Sequence, residues 1–251
     1  MSRKRPPIVE KQAVEAFYLR QHMHRFYVPA IQDGRATLAG PQLHQVKHVL
    51  RLHDGDELAV FDGSGSEWLG RLAGDDVELV RSIEHAVEPA SKLTIFQALI
   101  KPANFELVLQ KGTELGVSRF VPFLAERSVT SGEKAARWRS IVVEAAEQSG
   151  RRIIPEVAPV LPFDQAVCEA TRQGIPFMPW EKADRPRLSS VHRHCRQLTL
   201  MVGPEGGFTD EEVERARARG ALTVTLGRRI LRSETAAIAA AAILLHLNGD
   251  I

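Results

Sequence analysis

Leu198–Gly220 reads LTLMVGPEGGFTDEEVERARARG. An apolar strand runs straight into Gly203-Pro204-Glu205-Gly206-Gly207-Phe208. Thr209 stands three residues before Glu212, the spacing of a capping box that opens a helix. In α/β folds, ligands bind at glycine-rich turns on the carboxyl ends of parallel strands. Glycines carry no Cβ, so backbone there can approach a ligand closely. The helix N-terminus behind such a turn favours an anion. A tight structural turn before a helix accounts for the spacing equally well. Neither GxGxxG nor GxxxxGK(S/T) occurs, which weighs against dinucleotide and phosphate-loop readings.

Just downstream, Leu222–Leu247 reads LTVTLGRRILRSETAAIAAAAILLHL. Again a strand ends in glycine, Gly227. A basic loop follows, with Arg228, Arg229 and Arg232, and Ser233-Glu234-Thr235 begins an alanine-dense helix. A helix apolar nearly all round must be buried, in a domain core or in a subunit interface. The arginines by themselves read equally as a solvated loop.

Working outward, the chain from Lys92 alternates strand and helix. LTIFQALI is a continuous apolar run, as expected of a strand buried on both faces. A helix is predicted over Ala103–Leu115 with Gly116 as its cap, then the strand RFVPFL and a helix from Glu133 to Ser149. VAPV and IPFMPW are further strands, with a helix from Phe163 to Arg172 between them. This alternation predicts an α/β domain with a mostly parallel sheet. Upstream, residues 24–90 read as β-rich, with HRFYV, a hairpin in ELAVFDGSGSEWLGRLAG, and VELVRSIEHAV. One helix, Pro41–Leu50, interrupts them, and together they suggest a small barrel. The boundary is expected near Glu88-Pro89-Ala90-Ser91, giving domains 24–90 and 91–251 behind an extension, 1–23.

The 251 residues are 44% hydrophobic, enough for one large core or two modest ones. The net charge of +2 demands no polyanion, so any RNA must meet a local basic patch. Two cysteines, Cys168 and Cys195, make neither a disulfide framework nor a zinc pair, and a reducing cytoplasm is the simple reading. The basic N-terminus lacks the apolar core of a secretory signal, and no apolar run reaches the length of a membrane span. His44 and His48 are four apart without a third ligand, and His192 and His194 alternate. No metal is expected at either pair.

GPEGGFT followed by LGRRILRSETAA resembles the paired C-terminal signature of the RsmE family. These are ribosomal RNA small-subunit methyltransferases of the SPOUT superfamily, which methylate N3 of a uridine. HRFYV, HVLRLHDGDELAVFDGSG, QKGTELGVSRFVPFLAERS and EAAEQSGRRIIPEV are similar too, so the resemblance spans about His24 to Leu247. It implies a PUA-like barrel, then a SPOUT domain with a C-terminal trefoil knot, acting as a homodimer on 16S ribosomal RNA or the assembled small subunit. It implies S-adenosylmethionine held by Gly203, Glu205, Gly206 and Gly207 on one wall. Leu226, Gly227, Ile230, Leu231 and Thr235 form another, and Trp180 and Glu181 a third. One departure is Lys101-Pro102-Ala103-Asn104, where many relatives carry Lys-Gly-Asp/Glu-Lys.

Uridine N3 must lose a proton as it attacks, so a base, or a cation that stabilises the uridine anion, is expected. Arg232 is the candidate cation. Glu234 and Glu205 compete as base, although a carboxylate in the first turn of the last helix is favourable without any catalytic role. RNA contacts are expected from His24, Arg25, Lys47 and Arg51 on the barrel, with Lys101, Arg127 and Arg151 elsewhere. Arg127, Glu147, Gln148 and Arg151 form a second group of family-like positions that either hold the active-site wall or reach RNA, with ion pairing between helices as the plain alternative. The rival functions are a SPOUT methyltransferase of transfer RNA or 23S ribosomal RNA, and a non-catalytic RNA-binding assembly protein.

Overall fold

The computed structural model describes residues 23–84, 87–129, 134–191 and 194–251. The expected extension, apart from Met23, and His192 lie outside the described residues. The chain divides into two compact units. One runs to Glu88 and also takes Ala146–Ile153. The other is Pro89–Ala145 with Ile154–Ile251. The single boundary read from the sequence does not contain that excursion.

The first unit holds β1 (Arg25–Tyr27), β2 (Ile31–Gln32), β3 (Arg35–Thr37), α1 (Gly40–His44), β4 (Glu57–Phe61), β5 (Glu67–Ala73) and β6 (Asp76–Ser82). The sheet order is β1-β4-β5-β6-β3-β2. β1 pairs parallel to β4, and the other pairs are antiparallel. The short β2–β3 hairpin turns on Asp33 and Gly34, both at positive φ. An Asp-Gly pair is a strong hairpin signal, and the strand reading above missed it. Past α1 the chain makes a π-helical turn, Gln45–Val49, rather than continuing the expected α-helix. Phe26, Val46, Leu58, Val60, Leu72 and Val77 form the core.

A buried charge network ties Ala146–Ile153 into this unit. Glu67 accepts from Arg25 Nε at 2.6 Å and from Arg152 Nε at 3.2 Å. Arg25 also donates to the carbonyls of Ala146 and Glu147 in the last turn of the helix Ala135–Ser149 and to the carbonyl of Arg151 just beyond it. Arg151 is buried and donates to Glu88 Oε2 at 2.7 and 3.0 Å. The expectation that Arg25 and Arg151 contact RNA is therefore corrected. Both guanidinium groups are buried and engaged internally, where phosphate cannot reach them.

The second unit contains β7 (Lys92–Ala98), α2 (Pro102–Leu115), β8 (Arg119–Leu124) and most of α3 (Ala135–Ser149). Next come β9 (Glu156–Val157), β10 (Leu161–Pro162), α4 (Phe163–Gln173), β11 (Pro176–Pro179) and the short α5 (Leu188–Val191). β12 (Gln197–Val202), α6 (Asp210–Ala218), β13 (Leu222–Val224) and α7 (Ser233–Asn248) complete it. All its strand pairs are parallel, in the order β10-β8-β7-β12-β11-β13. Adjacent β7 residues enter different cores. Leu93 and Ile95 pack with Phe105, Leu109 and Leu244 of α2 and α7, while Phe96 and Ala98 pack with Phe163 and Val213 of α4 and α6. Burial on both faces is why LTIFQALI lacks polar alternation. From β7 the strands run one way through β8 and the other way through β12. Such a reversal opens a crevice at the carboxyl ends.

Candidate active site

A cleft opens at the carboxyl ends of β11, β12 and β13. Its walls are three turns: Pro179–Glu181 after β11, Gly203–Phe208 after β12, and Thr225–Leu231 after β13. Ser233 and Ala236 of α7 close the fourth side. Both glycine-ended strands singled out in the sequence thus deliver their turns to one place. Of the residues expected to hold cofactor, Trp180, Glu181, Gly203, Glu205, Gly206, Gly207, Leu226, Gly227, Ile230 and Leu231 line this cleft. Thr235 is exposed and lies outside the lining.

The glycine-rich turn is tightly determined. Gly207 sits at φ +70, and its amide donates to Pro204 O at 3.0 Å. A Cβ on Gly207 would stand 2.7 Å from Glu181 Oε1 across the cleft, and one on Gly203 would stand 2.9 Å from the buried Phe208 ring. The predicted capping box is present. Glu212 N donates to Thr209 Oγ1 at 3.2 Å and Thr209 N to Glu212 Oε2 at 3.0 Å. Lys101 N donates to Glu205 Oε1 at 3.0 Å, bringing the turn after β7 against the same loop.

Two residues that the sequence reading passed over hold the motifs together. Ser233 Oγ donates to Gly203 O at 2.5 Å, and Gln97 Nε2 donates to Ser233 Oγ at 3.0 Å. Both side chains are buried. The signal for Gln97 was a long amide inside an otherwise apolar strand. Ser233 looked like a helix-start residue and nothing more.

The candidate catalytic groups separate. Glu205 lines the cleft. Arg232 is exposed at the N-cap of α7, outside the lining. Glu234 is buried outside the lining, and its Oε2 has no hydrogen-bond partner among the described residues. Trp180 Nε1 is another buried group without a partner among them, and its ring lies under the guanidinium of Arg217 at 5.1 Å. The walls fit a ligand that carries both signs of charge and apolar parts. Val202, Leu226 and Leu231 give apolar surface, Glu181 and Glu205 supply negative charge for a cation, and Arg228 and Arg229 supply positive charge for an anionic group of the same ligand.

Among the remaining RNA candidates, His24, Arg51 and the Lys101 side chain are exposed. Lys47 pairs with Asp75 at 2.5 Å. Arg127 donates to Gly206 O at 2.8 Å, behind the glycine loop.

Residues 87–245 match the family model of an RNA methyltransferase domain, and residues 38–80 match that of an RNA methyltransferase PUA domain. Fold and cleft thereby define an RNA methyltransferase of the SPOUT-like α/β class carrying a PUA-like β unit. A relative from Synechocystis, the ribosomal RNA small subunit methyltransferase E, is 38% identical over 215 residues, covering 82% of this chain and 71% of its own. The protein of that name from Bacillus subtilis is 33% identical, covering 85% and 92%. Among solved structures, that of the Neisseria gonorrhoeae ribosomal RNA small subunit methyltransferase E bound to S-adenosyl methionine superposes with a TM-score of 0.82 at 32% identity. It covers 90% of this chain and 98% of its own. A Legionella pneumophila putative methyltransferase in complex with the same cofactor gives 0.82 at 30% identity, covering 89% and 97%. The chain belongs to the ribosomal RNA small subunit methyltransferase E family.

Proposed function

We propose that this protein transfers a methyl group from S-adenosylmethionine to N3 of a uridine in 16S ribosomal RNA, in the cytoplasm and as a homodimer. The observation that carries the reading is the convergence of three turns, including GPEGGF and LGRRIL, on one cleft in a chain of this family. No helix among the described residues is long and apolar enough to cross a membrane.

In this reading Trp180, Glu181, Gly203, Glu205, Gly206, Gly207, Leu226, Gly227, Ile230 and Leu231 hold the cofactor, which supplies a methyl already activated on a sulfonium. Glu181 and Glu205 face that positive charge. Arg232 steadies the uridine anion from the rim of the cleft. Lining favours Glu205 over Glu234 as the group that takes the N3 proton. Its Oε1 accepts from Lys101 N, which fixes the carboxylate, and its second oxygen has no hydrogen bond among the described residues. The 24–90 unit grips RNA, with His24 and Arg51 as exposed contacts beside Lys47, and Lys101 adds a contact on the 91–251 domain.

A trefoil knot belongs to the same proposal. The chain leaving β13 runs between two parts of the β11–β12 connection. Trp180 N donates to Val224 O at 3.1 Å on one side. On the other, Thr225 N donates to Pro186 O at 2.9 Å and Leu188 N to Thr225 O at 3.3 Å. The homodimer is supported by the half-buried apolar stripe Ile238, Ala239 and Ala242 on α7.

The test is methylation of small subunits, and of naked 16S RNA, from a strain lacking this enzyme, with the product base identified by mass spectrometry. Methyl transfer to uridine N3 is expected. Transfer to another base, or to transfer RNA alone, overturns the reading.

A further inference from the structure

The turn after β8, Ala125–Val129, faces the back of the glycine loop. Arg127 Nη1 donates to Gly206 O at 2.8 Å. The aliphatic stem of Arg127 packs on Gly206, where an added Cβ would stand 3.2 Å from Arg127 Cβ and Cδ. The turn is itself fixed. Ala125 N donates to Ser128 Oγ at 3.0 Å, Ser128 N to Ala125 O at 3.1 Å, and Val129 N to Leu99 O at 3.2 Å. Glu212 ties it down a second time. This carboxylate is 1% exposed. Oε2 accepts from Thr209 N within the capping box, and Oε1 accepts from Glu126 N at 2.9 Å. The glycine loop and the β8 turn are therefore joined on both sides of Phe208, by Arg127 to Gly206 before it and by Glu126 to Glu212 after it.

We propose that Arg127 is a positioning residue that holds the cofactor-facing loop in its binding shape from behind, the wall-holding one of its two expected roles, and does not contact RNA. The proposal rests on the reading of the cleft as the S-adenosylmethionine site. A loop rich in glycine is otherwise free to sample many shapes, and each unproductive shape lowers affinity. A guanidinium bond to Gly206 O, backed by stem packing, removes that freedom at the residue where backbone meets ligand. Glu212 does the same one turn later, because its two oxygens make the helix start and the β8 turn a single unit.

The test uses the full chain with Arg127→Met, which keeps the stem and removes the donor, and Arg127→Lys, which keeps one donor. Hydrogen exchange at the Gly206 and Gly207 amides is followed without cofactor. S-adenosylmethionine affinity is measured by calorimetry, and RNA affinity by filter binding. Arg127→Met is expected to speed the exchange and to weaken cofactor binding roughly 5- to 10-fold, the scale of one hydrogen bond to a charged donor at a partly solvated site. Turnover at saturating cofactor stays near wild type, so the loss falls on KM and not on kcat. RNA affinity and the melting temperature stay unchanged, and Arg127→Lys recovers part of the binding. Unchanged exchange in Arg127→Met overturns the bracing, as does a loss of RNA affinity larger than the loss for cofactor. Wild-type protein that binds no S-adenosylmethionine while its exchange still depends on Arg127 sinks the cofactor reading of the cleft and leaves the brace standing.

Discussion

Ser233 Oγ donates to the carbonyl of Gly203 at 2.5 Å, in a buried bond that joins the two sequence motifs of the cleft. Gln97 reaches the same hydroxyl from the neighbouring strand. Ser233→Ala leaves the Gly203 carbonyl without this donor. The expected cost is about 1–3 kcal/mol of stability, read from urea unfolding, together with weaker cofactor binding. Unchanged unfolding would show that the bond contributes nothing.

The three glycines of GPEGG should not be equivalent. An alanine methyl at Gly203 meets the buried Phe208 ring, which has nowhere to go, so overpacking of about 1–3 kcal/mol is expected. At Gly207 the methyl meets the mobile end of the Glu181 side chain, but φ of +70 remains strained for alanine, at about 1–2 kcal/mol. Gly207→Ala should also push Glu181 aside and weaken cofactor binding. Gly206→Ala meets only the stem of Arg127 and should be mildest. Melting temperatures of the three variants check the order.

Arg232→Ala should lower turnover about 100-fold or more while cofactor affinity stays within about twofold, because its charge matters only as the uridine anion forms. Glu205→Gln should lower turnover as well, and Glu234→Gln much less. Single-turnover assays with calorimetry separate these effects. A collapse of turnover in Glu234→Gln alone reverses the choice of base.

Glu67 sits between Arg25 and Arg152 with its side chain 2% exposed. Removing one partner from such a buried group costs about 3–5 kcal/mol. Glu67→Ala should therefore destabilise the protein strongly, and Arg25→Ala should lower the melting temperature before it changes the salt dependence of RNA binding. A steep change in that salt dependence at wild-type stability would return Arg25 to the RNA surface.

Asp250 anchors the C-terminus to the start of β7. Burial alone would raise its pKa, but the Ser91 hydroxyl, the Ala90 amide, Asn248 and the Ser91 amide hold it below the ordinary carboxylate value. A pKa lowered in the folded state means stability that is fully present above the unfolded value, about 4, and lost as pH falls through the folded value. Acid unfolding of wild type and Asp250→Asn should converge below that window and diverge above it. Parallel curves at all pH values would contradict the anchor.

Local signals made the second unit readable. Its strands announced themselves by unbroken apolar runs, its turns by glycine, and α6 by Thr209 and Glu212. Partners distant in the chain were not readable. Nothing local says that Glu212 also holds Glu126, that Ser233 caps the Gly203 carbonyl, or that β1 pairs parallel to β4. Arg25 and Arg151 looked like phosphate ligands because arginine is usually solvated, and only the fold supplies Glu67, Glu88 and the carbonyls of Ala146, Glu147 and Arg151 to engage them. The cleft was legible as two motifs, and its third wall, at Trp180 and Glu181, followed from family resemblance.

The most direct measurement is a calorimetric titration of S-adenosylmethionine into the wild-type chain and into Gly207→Ala. Saturable binding at one site per chain, strongly weakened by that single methyl group, is the expected result. Equal affinity in both proteins, or no saturable heat in the wild type, would place the cofactor somewhere other than between the GPEGG and LGRRIL turns.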